Sequence, residues 1–254
     1  MQITFLGTGT SHGVPMIGCE CGTCRSEDPR DRRTRPSIFI EATDGTAILV
    51  DAGPDLRSQA LTHRINRVDA IVFTHGHADH ILGLDDVRRY NHIMRRPMAC
   101  YADEKTVDDI RRLFAYVFDP DSPKAGGLPQ LDLFTVEGPF CLGRQEVVPV
   151  PVLHGSRRIF GFRFGGFAYL TDCSAIPDGS WQLLIGLDVL VLDALRERPH
   201  PTHFSIGEAL EVARRIGAGQ TYFTHMCHDL PHAATCAKLP AGIALAYDGL
   251  RLRC

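Results

Sequence analysis

Short runs of β-branched and aromatic residues recur along the chain, and many of them end at a glycine, an aspartate or a histidine. Apolar runs of this length, bounded by turn-forming residues, are typical of strands in buried sheets. The pattern therefore predicts strands over residues 3–6, 37–40, 47–50, 70–73, 98–101, 147–152, 160–164, 167–170, 189–192, 221–223 and 243–246.

Two segments between these runs carry apolar residues at helical spacing, residues 103–114 and 205–216. The second has clear boundaries, because Ser205 and Glu208 form a capping-box pattern and Gly217 follows the last apolar residue. Strands that alternate with helices predict a layered α/β architecture in which helices cover the sheets. No repeat or linker interrupts the pattern, so we expect a single domain over residues 1–254, with a surface loop or lid at 119–130.

Composition narrows the class of protein. The chain has 254 residues, 44% of them hydrophobic, and a formal net charge of −3, which is ordinary for a soluble globular domain. These values argue against disorder and against a strongly electrostatic nucleic-acid binder. No leader-like start and no long apolar run is visible, so we expect a cytoplasmic protein without a membrane span. The nine cysteines cannot all be paired within one chain, and closely spaced cysteines of cytosolic proteins favour metal binding.

A dense set of ligand-type side chains follows the predicted strand 70–73. The set consists of His75, His77, Asp79 and His80. Imidazole suits zinc, iron, nickel and copper, and an added carboxylate also admits manganese. The first two histidines are expected to reach one ion, and the aspartate and the last histidine a second. A helix that begins near Ile81 would place its N-terminus beside this metal site.

The HxHxDH pattern of these residues resembles the signature of the metallo-β-lactamase superfamily. That superfamily also has a later histidine, aspartate and histidine, each at a strand end, and His154, Asp172 and His225 follow predicted strands in that order. The resemblance covers essentially the whole chain and implies an αββα sandwich. It also implies two catalytic divalent metals, for which Zn and Mn are the first candidates and Fe a further one. One metal would be held by His75, His77 and His154, the other by Asp79, His80 and His225, with Asp172 bridging.

Three cysteines near the N-terminus suggest a second kind of metal site. Cys19, Cys21 and Cys24 form a C-x-C-x₂-C arrangement whose thiolates can occupy three corners of a tetrahedral zinc site. A fourth ligand must come from elsewhere in the chain. His228 is the favoured candidate, and Cys227 is its rival. We therefore expect one structural zinc in addition to the catalytic pair.

The glycine-rich segment 6–15, followed by these cysteines, is similar to the PhnP-like branch of the superfamily. The namesake of that branch opens five-membered cyclic phosphates of ribose. The resemblance implies a phosphodiesterase that acts on small, cyclic phosphodiesters through a hydroxide bridging the two metals. Asp79 and His203 are the expected catalytic residues. His203 matches an assisting histidine of that relative, and it would protonate the leaving oxygen or contact a phosphate oxygen.

Other functions share these motifs. A thioesterase or a lactonase would use the same seven ligands, and a non-catalytic PqqB-like accessory or carrier protein is similar at 54–57 and at the cysteines. A bridging Asp172 argues against a β-lactamase. A transfer-RNA processing nuclease would need a long arm between His154 and Asp172, where only 17 residues lie. We therefore expect a small phosphodiester as partner, with a second copy of the chain as a further candidate partner in a homodimer, and neither a membrane nor a long nucleic acid.

The segment 103–133 is expected to be an insertion that shapes substrate choice. Its candidate side chains are Arg111, Arg112, Tyr116, Phe118 and Lys124. The alternative is a solvated face, which a charged helix followed by a loop more often forms.

Overall fold

Two mixed β-sheets form the centre of the computed structural model, which describes residues 1–122 and 127–254. The first sheet has the order β14 (Arg251–Arg253), β1 (Gln2–Gly7), β2 (Ser37–Glu41), β3 (Ala47–Val50), β4 (Ala70–Val72), β5 (Met98–Ala102) and β6 (Leu131–Thr135). The second has the order β7 (Phe140–Leu142), β8 (Gln145–His154), β9 (Arg157–Phe164), β10 (Phe167–Leu170), β11 (Val189–Asp193), β12 (Gln220–Thr224) and β13 (Ile243–Leu245). The helices are α1 (Leu56–His63), α2 (Ala78–Ile81), α3 (Arg88–Met94), α4 (Glu104–Leu113), α5 (Ala115–Phe118), α6 (Ile206–Ile216) and α7 (His232–Cys236).

Three apolar layers hold the sheets and helices together. Alternate residues of a strand point to opposite faces, and β3 shows this directly. Ile48 and Val50 pack between the two sheets, whereas Leu49 packs on the outer face with residues of α1, α3 and α4. A third cluster joins the second sheet to α6. The result is a single-domain αββα sandwich, which confirms the predicted fold class.

Both helices expected from periodicity are present. The carboxylate of Asp103 accepts a hydrogen bond from the Thr106 backbone N–H at the start of α4. At the start of α6, Ser205 and Glu208 form the reciprocal capping box, and Gly217 ends the helix with a left-handed φ of 68°. These caps satisfy backbone groups that a helix end would otherwise leave unpaired.

The predicted strands are all found, with bounds shifted by up to three residues. Sequence analysis missed β6, β7 and β14, and each of these is an edge strand of its sheet. Edge strands are partly solvated, so they lack the continuous apolar run of a central strand. The helix expected near Ile81 begins earlier, at Ala78, because His77 already has the extended backbone of an N-cap. Lys124 lies outside the described residues.

Strand direction brings the chemistry to one edge of the sandwich. Strands β10, β11 and β12 are parallel to one another. Strand β8 runs in the same direction as β10, because both are antiparallel to β9. Their carboxyl ends therefore meet at the same edge, as the carboxyl ends of parallel strands do. Among the described residues, no helix is long and apolar enough to cross a membrane.

Candidate metal centre

The seven side chains expected to bind the catalytic metals come together in two adjacent groups. One group is His75, His77 and His154, and the other is Asp79, His80, Asp172 and His225. Within each group the ligand atoms lie within 4.8 Å of one another. Asp172 adjoins both groups, since its Oδ1 lies 3.9 Å from His75 Nε2 and its Oδ2 lies 3.2 Å from His80 Nε2. That these side chains bind metal stays a prediction.

Two of these side chains are carried by residues with an unusual backbone conformation at a strand end. Asp172 follows β10 with a φ of 54°, and His225 follows β12 with a φ of 60°. Non-glycine residues in this left-handed region are uncommon, and they are concentrated at functional sites. Gly53 is required for a different reason. A Cβ at Gly53 would overlap the carbonyl oxygen of Asp79, so only glycine lets this loop pack behind the ligand.

The histidines of the cluster present unpaired nitrogens to its centre. The Nε2 atoms of His75, His80 and His225 are buried and have no hydrogen-bond partner within the described residues. Buried polar atoms are nearly always paired, so three such nitrogens in one place fit ligation of a cation. A carboxylate or a carbonyl oxygen holds Nδ1 of two histidines of the cluster. His80 Nδ1 lies 2.7 Å from Asp51 Oδ2, and His154 Nδ1 donates to the Thr202 carbonyl at 2.7 Å.

Metal-binding histidines commonly donate their second N–H to a carboxylate or a carbonyl, as these two do. This fixes the tautomer and aims Nε2 at the metal. The donor set of five imidazoles and two carboxylates therefore fits two divalent cations. His77 is exposed, so the cluster is open to solvent on that side.

The charges of the cluster also suit the binding of cations. Burial disfavours the ionised form of Asp172, yet the His225 and His80 imidazoles hold its pKa well below the usual range. Burial opposes the charged form of His225 too, but Asp172 and Asp79 raise its pKa to about 9. Burial lowers the pKa of His75 well below its ordinary value, which leaves it neutral at pH 7. A buried group of carboxylates and imidazoles of this kind suits bound cations, which would take the place of protons on the imidazoles.

His203, the predicted assisting histidine, lies beside this cluster. Its ring centroid is 4.7 Å from those of His154 and His225. His203 Nδ1 lies 3.1 Å from Asp193 Oδ2, which also accepts a hydrogen bond from the Phe204 backbone N–H. Sequence analysis missed Asp193 and also missed Asp51. The available signal was the same for both, a lone aspartate at the end of an apolar strand, as at Asp172.

The predicted zinc ligands Cys19, Cys21, Cys24 and His228 form a separate group, again within 4.8 Å of one another. His228 Nδ1 lies 3.2 Å from Cys19 Sγ and 3.3 Å from Cys21 Sγ. Tetrahedral zinc, with bonds of about 2.3 Å to sulfur and 2.0–2.1 Å to nitrogen, requires a separation of this order. The Cys227 sulfur instead accepts a hydrogen bond from the Asp229 backbone N–H, so the grouping favours His228 as the fourth ligand.

The segment 103–133 approaches the cluster through α4. Asp109 lies against Gly76 and accepts hydrogen bonds from Arg112 at 2.9 Å and from Arg157 at 3.4 Å. Tyr116 donates a hydrogen bond to Asp85 at 2.8 Å. Helix α4 therefore packs next to the predicted metal ligands, while the effect of the segment on substrate choice stays a prediction.

Comparison with known proteins places these features in context. The family model for the beta-lactamase superfamily domain matches residues 46–226. A crystal structure described as a new diphosphatase from the PhnP family is 49% identical, with a TM-score of 0.92 over 99% of this chain and 96% of that one. Zn²⁺-bound PqqB from Methylobacterium extorquens shares the fold, with a TM-score of 0.80 over the full length of both chains at 20% identity.

One curated relative is longer than this chain. An octanoyltransferase from Porphyromonas gingivalis is 39% identical over 98% of this chain, which spans only about half (51%) of that protein.

Proposed function

The chain belongs to the metallo-β-lactamase superfamily, and we propose that it is a dinuclear-metal-dependent phosphohydrolase that cleaves small phosphodiesters, in particular cyclic ones. One observation carries the proposal. Seven ligand side chains face each other with unpaired buried nitrogens, and His203 stands beside them. The resemblance to a PhnP-family diphosphatase at 49% identity supports a phosphorus-containing substrate.

Each of the two groups of side chains would hold one cation. His75, His77 and His154 would hold one cation, and Asp79, His80 and His225 the other, with Asp172 between them. Two such cations would neutralise phosphate charge and lower the pKa of a nucleophilic water. The mixed imidazole and carboxylate set suits Zn²⁺ and Mn²⁺, and it also admits iron.

His203 is placed to handle the proton of the leaving group. Its Nδ1 is engaged by the buried Asp193 carboxylate, which leaves Nε2 as the free ring nitrogen. A ring held in this way would present Nε2 to the leaving oxygen, where general-acid catalysis needs a proton donor. The same carboxylate accepts the Phe204 backbone N–H, so the loop that carries His203 is fixed at the start of α6.

The second metal group would serve the fold. Cys19, Cys21 and Cys24 lie on the N-terminal loop, and His228 lies on the loop after β12, more than 200 residues away in sequence. A zinc ion bound there would tie the two loops together without taking part in the reaction.

Hydrolysis assays with the metal-loaded protein test this function. We expect turnover of bis-p-nitrophenyl phosphate that is abolished in Asp79→Ala and retained in Asp108→Ala, an exposed aspartate of α4 that serves as control. A parallel panel of cyclic phosphates, thioesters and lactones separates the alternatives that share the ligand set. Undiminished hydrolysis by Asp79→Ala, or turnover of thioesters or lactones alone, would contradict the proposal.

A further inference from the structure

Arg157 carries a guanidinium next to the first group of predicted metal ligands. A tight turn joins β8 to β9, so His154 and Arg157 lie directly opposite each other in the two strands. Side chains of directly opposed residues in antiparallel strands project from the same face, with Cβ atoms about 4.5–5.5 Å apart. His154 belongs to the group with His75 and His77. Arg157 therefore projects from the face of the sheet that carries this group.

Contacts of Asp109 locate the guanidinium more closely. Asp109 Oδ2 accepts a hydrogen bond from an Arg157 Nη atom at 3.4 Å. The same oxygen would lie 2.7 Å from a Cβ at Gly76, the residue between His75 and His77. One carboxylate oxygen thus contacts both the guanidinium and the backbone between two predicted ligands. Because His77 is exposed, Arg157 lies near the side on which the cluster opens to solvent.

The positive charge of Arg157 is only partly neutralised by the protein. Its hydrogen bond to Asp109 is the one that its side chain makes within the described residues, and 21% of the side chain is exposed. Asp109 also accepts a hydrogen bond from Arg112, at the shorter distance of 2.9 Å. Two arginines therefore share one carboxylate, and the second terminal nitrogen of Arg157 is available to a ligand.

The next residue, Arg158, provides a comparison within the same strand. Arg158 is paired with Leu153, so it lies one position along β9 and projects from the opposite face. It is exposed and has no ion pair within the part of the chain that the structure describes. Two neighbouring arginines thus have the same charge, and only Arg157 is on the face of the metal cluster.

We propose that Arg157 binds an unesterified oxygen of the scissile phosphate and thereby makes the cluster select anionic phosphorus esters over neutral carbon esters. The inference rests on the proposed phosphodiesterase function and names a specificity-determining residue for it. A guanidinium stays charged at neutral pH and pairs with phosphate oxygens through oriented N–H groups. A thioester or a lactone has no charge in its ground state, so its binding gains less from Arg157.

Two substrates with the same leaving group test this selectivity. Bis-p-nitrophenyl phosphate is an anion, and p-nitrophenyl acetate is neutral. The readout is the ratio of kcat/KM for the phosphodiester to that for the acetate, measured at equal metal content. We expect Arg157→Gln to lower this ratio by about tenfold or more, because it removes a hydrogen bond to a charged group. Arg158→Gln should leave the ratio unchanged, and an unchanged ratio in Arg157→Gln would overturn the proposal.

Binding of inorganic phosphate measures the same contact without turnover. Calorimetric titration of the Zn²⁺-loaded proteins should give an affinity about tenfold weaker in Arg157→Gln than in the wild type, and an unchanged affinity in Arg158→Gln. If the wild type hydrolyses no phosphodiester, the proposed function fails, and this titration still decides the role of Arg157. Equal affinities in Arg157→Gln and the wild type would overturn that role.

Asp109→Asn separates a contact with phosphate from an effect on packing. Asparagine has the same shape, so the substitution removes the competing negative charge and keeps the charge of Arg157 in place. We expect phosphate to bind to Asp109→Asn at least as tightly as to the wild type. A loss of affinity as large as that in Arg157→Gln would show that the ion pair with Asp109 matters rather than a contact with phosphate, and it would overturn the proposal.

Discussion

Asp51→Asn tests whether the cluster is built to hold metal. Asp51 is fully buried at the end of β3, with a φ of 62°. Its Oδ1 accepts the Thr74 backbone N–H at 2.8 Å, and its Oδ2 accepts the Thr74 hydroxyl at 2.8 Å and faces His80 Nδ1 at 2.7 Å. Asparagine has the same shape and tolerates the left-handed backbone. The substitution therefore changes hydrogen bonding with little steric effect.

The side-chain amide of asparagine cannot satisfy both His80 and Thr74 in either of its two orientations. With its NH₂ toward His80, it would require Nδ1 to accept, which moves the ring proton to Nε2 and blocks the nitrogen that faces the cluster. With its NH₂ toward Thr74, two donors would meet. Loss of an outer partner of a metal-binding histidine costs about 10–100-fold in metal affinity. That is about 1.4–2.7 kcal/mol of binding free energy.

Chelator-competition titration with Zn²⁺, on the metal-stripped protein, measures this affinity. We expect one of the two cluster sites to weaken by that factor, while the affinity of the cysteine group is unchanged and serves as an internal reference. Asp108→Asn, an exposed aspartate on α4, is the matched control. Unchanged affinity at both cluster sites in Asp51→Asn would refute the assignment of His80 as a ligand oriented by Asp51.

Three further substitutions have distinct expected outcomes. Gly53→Ala should lower the free energy of unfolding by about 1–3 kcal/mol and reduce hydrolysis, because the added Cβ collides with the Asp79 carbonyl. Gly179→Ala is the control, because its Cβ meets open space, and it should change neither quantity in the same melting and activity assays. Ser205→Ala removes the cap of α6 and should cost about 1 kcal/mol, seen as a melting temperature lower by about 2–4 °C. A melting temperature equal to that of the wild type would contradict that role. Cys21→Ser should remove one metal equivalent per chain in elemental analysis and lower thermal stability, and full metal content would count against the zinc group.

The sequence pattern alone located those side chains of the site that form a motif or follow an apolar strand. His75, His77, Asp79 and His80 stand together, and the remaining ligands end apolar strands, so strand prediction also located them. Asp51 and Asp193 are not part of any such motif in the sequence. Their partners, His80 and His203, are 29 and 10 residues away, and only the folded chain brings them together.

Other features depend on tertiary structure alone. Gly53 shows no pattern in sequence, and its significance comes from the Asp79 carbonyl oxygen, which a Cβ at this position would overlap. The edge strands β6, β7 and β14 gain their strand conformation from pairing with one neighbour each. Composition does not encode that pairing, because a short, half-exposed strand resembles a loop.

Metal content and activity, measured on one preparation, test the central claim most directly. Elemental analysis should find three metal ions per chain, two for the His/Asp cluster and one for the cysteine group. The same protein should hydrolyse bis-p-nitrophenyl phosphate, lose that activity on chelation and regain it with Zn²⁺ or Mn²⁺. Two or fewer metal ions per chain, with no hydrolysis of any ester after metal loading, would contradict the account and favour a non-catalytic role.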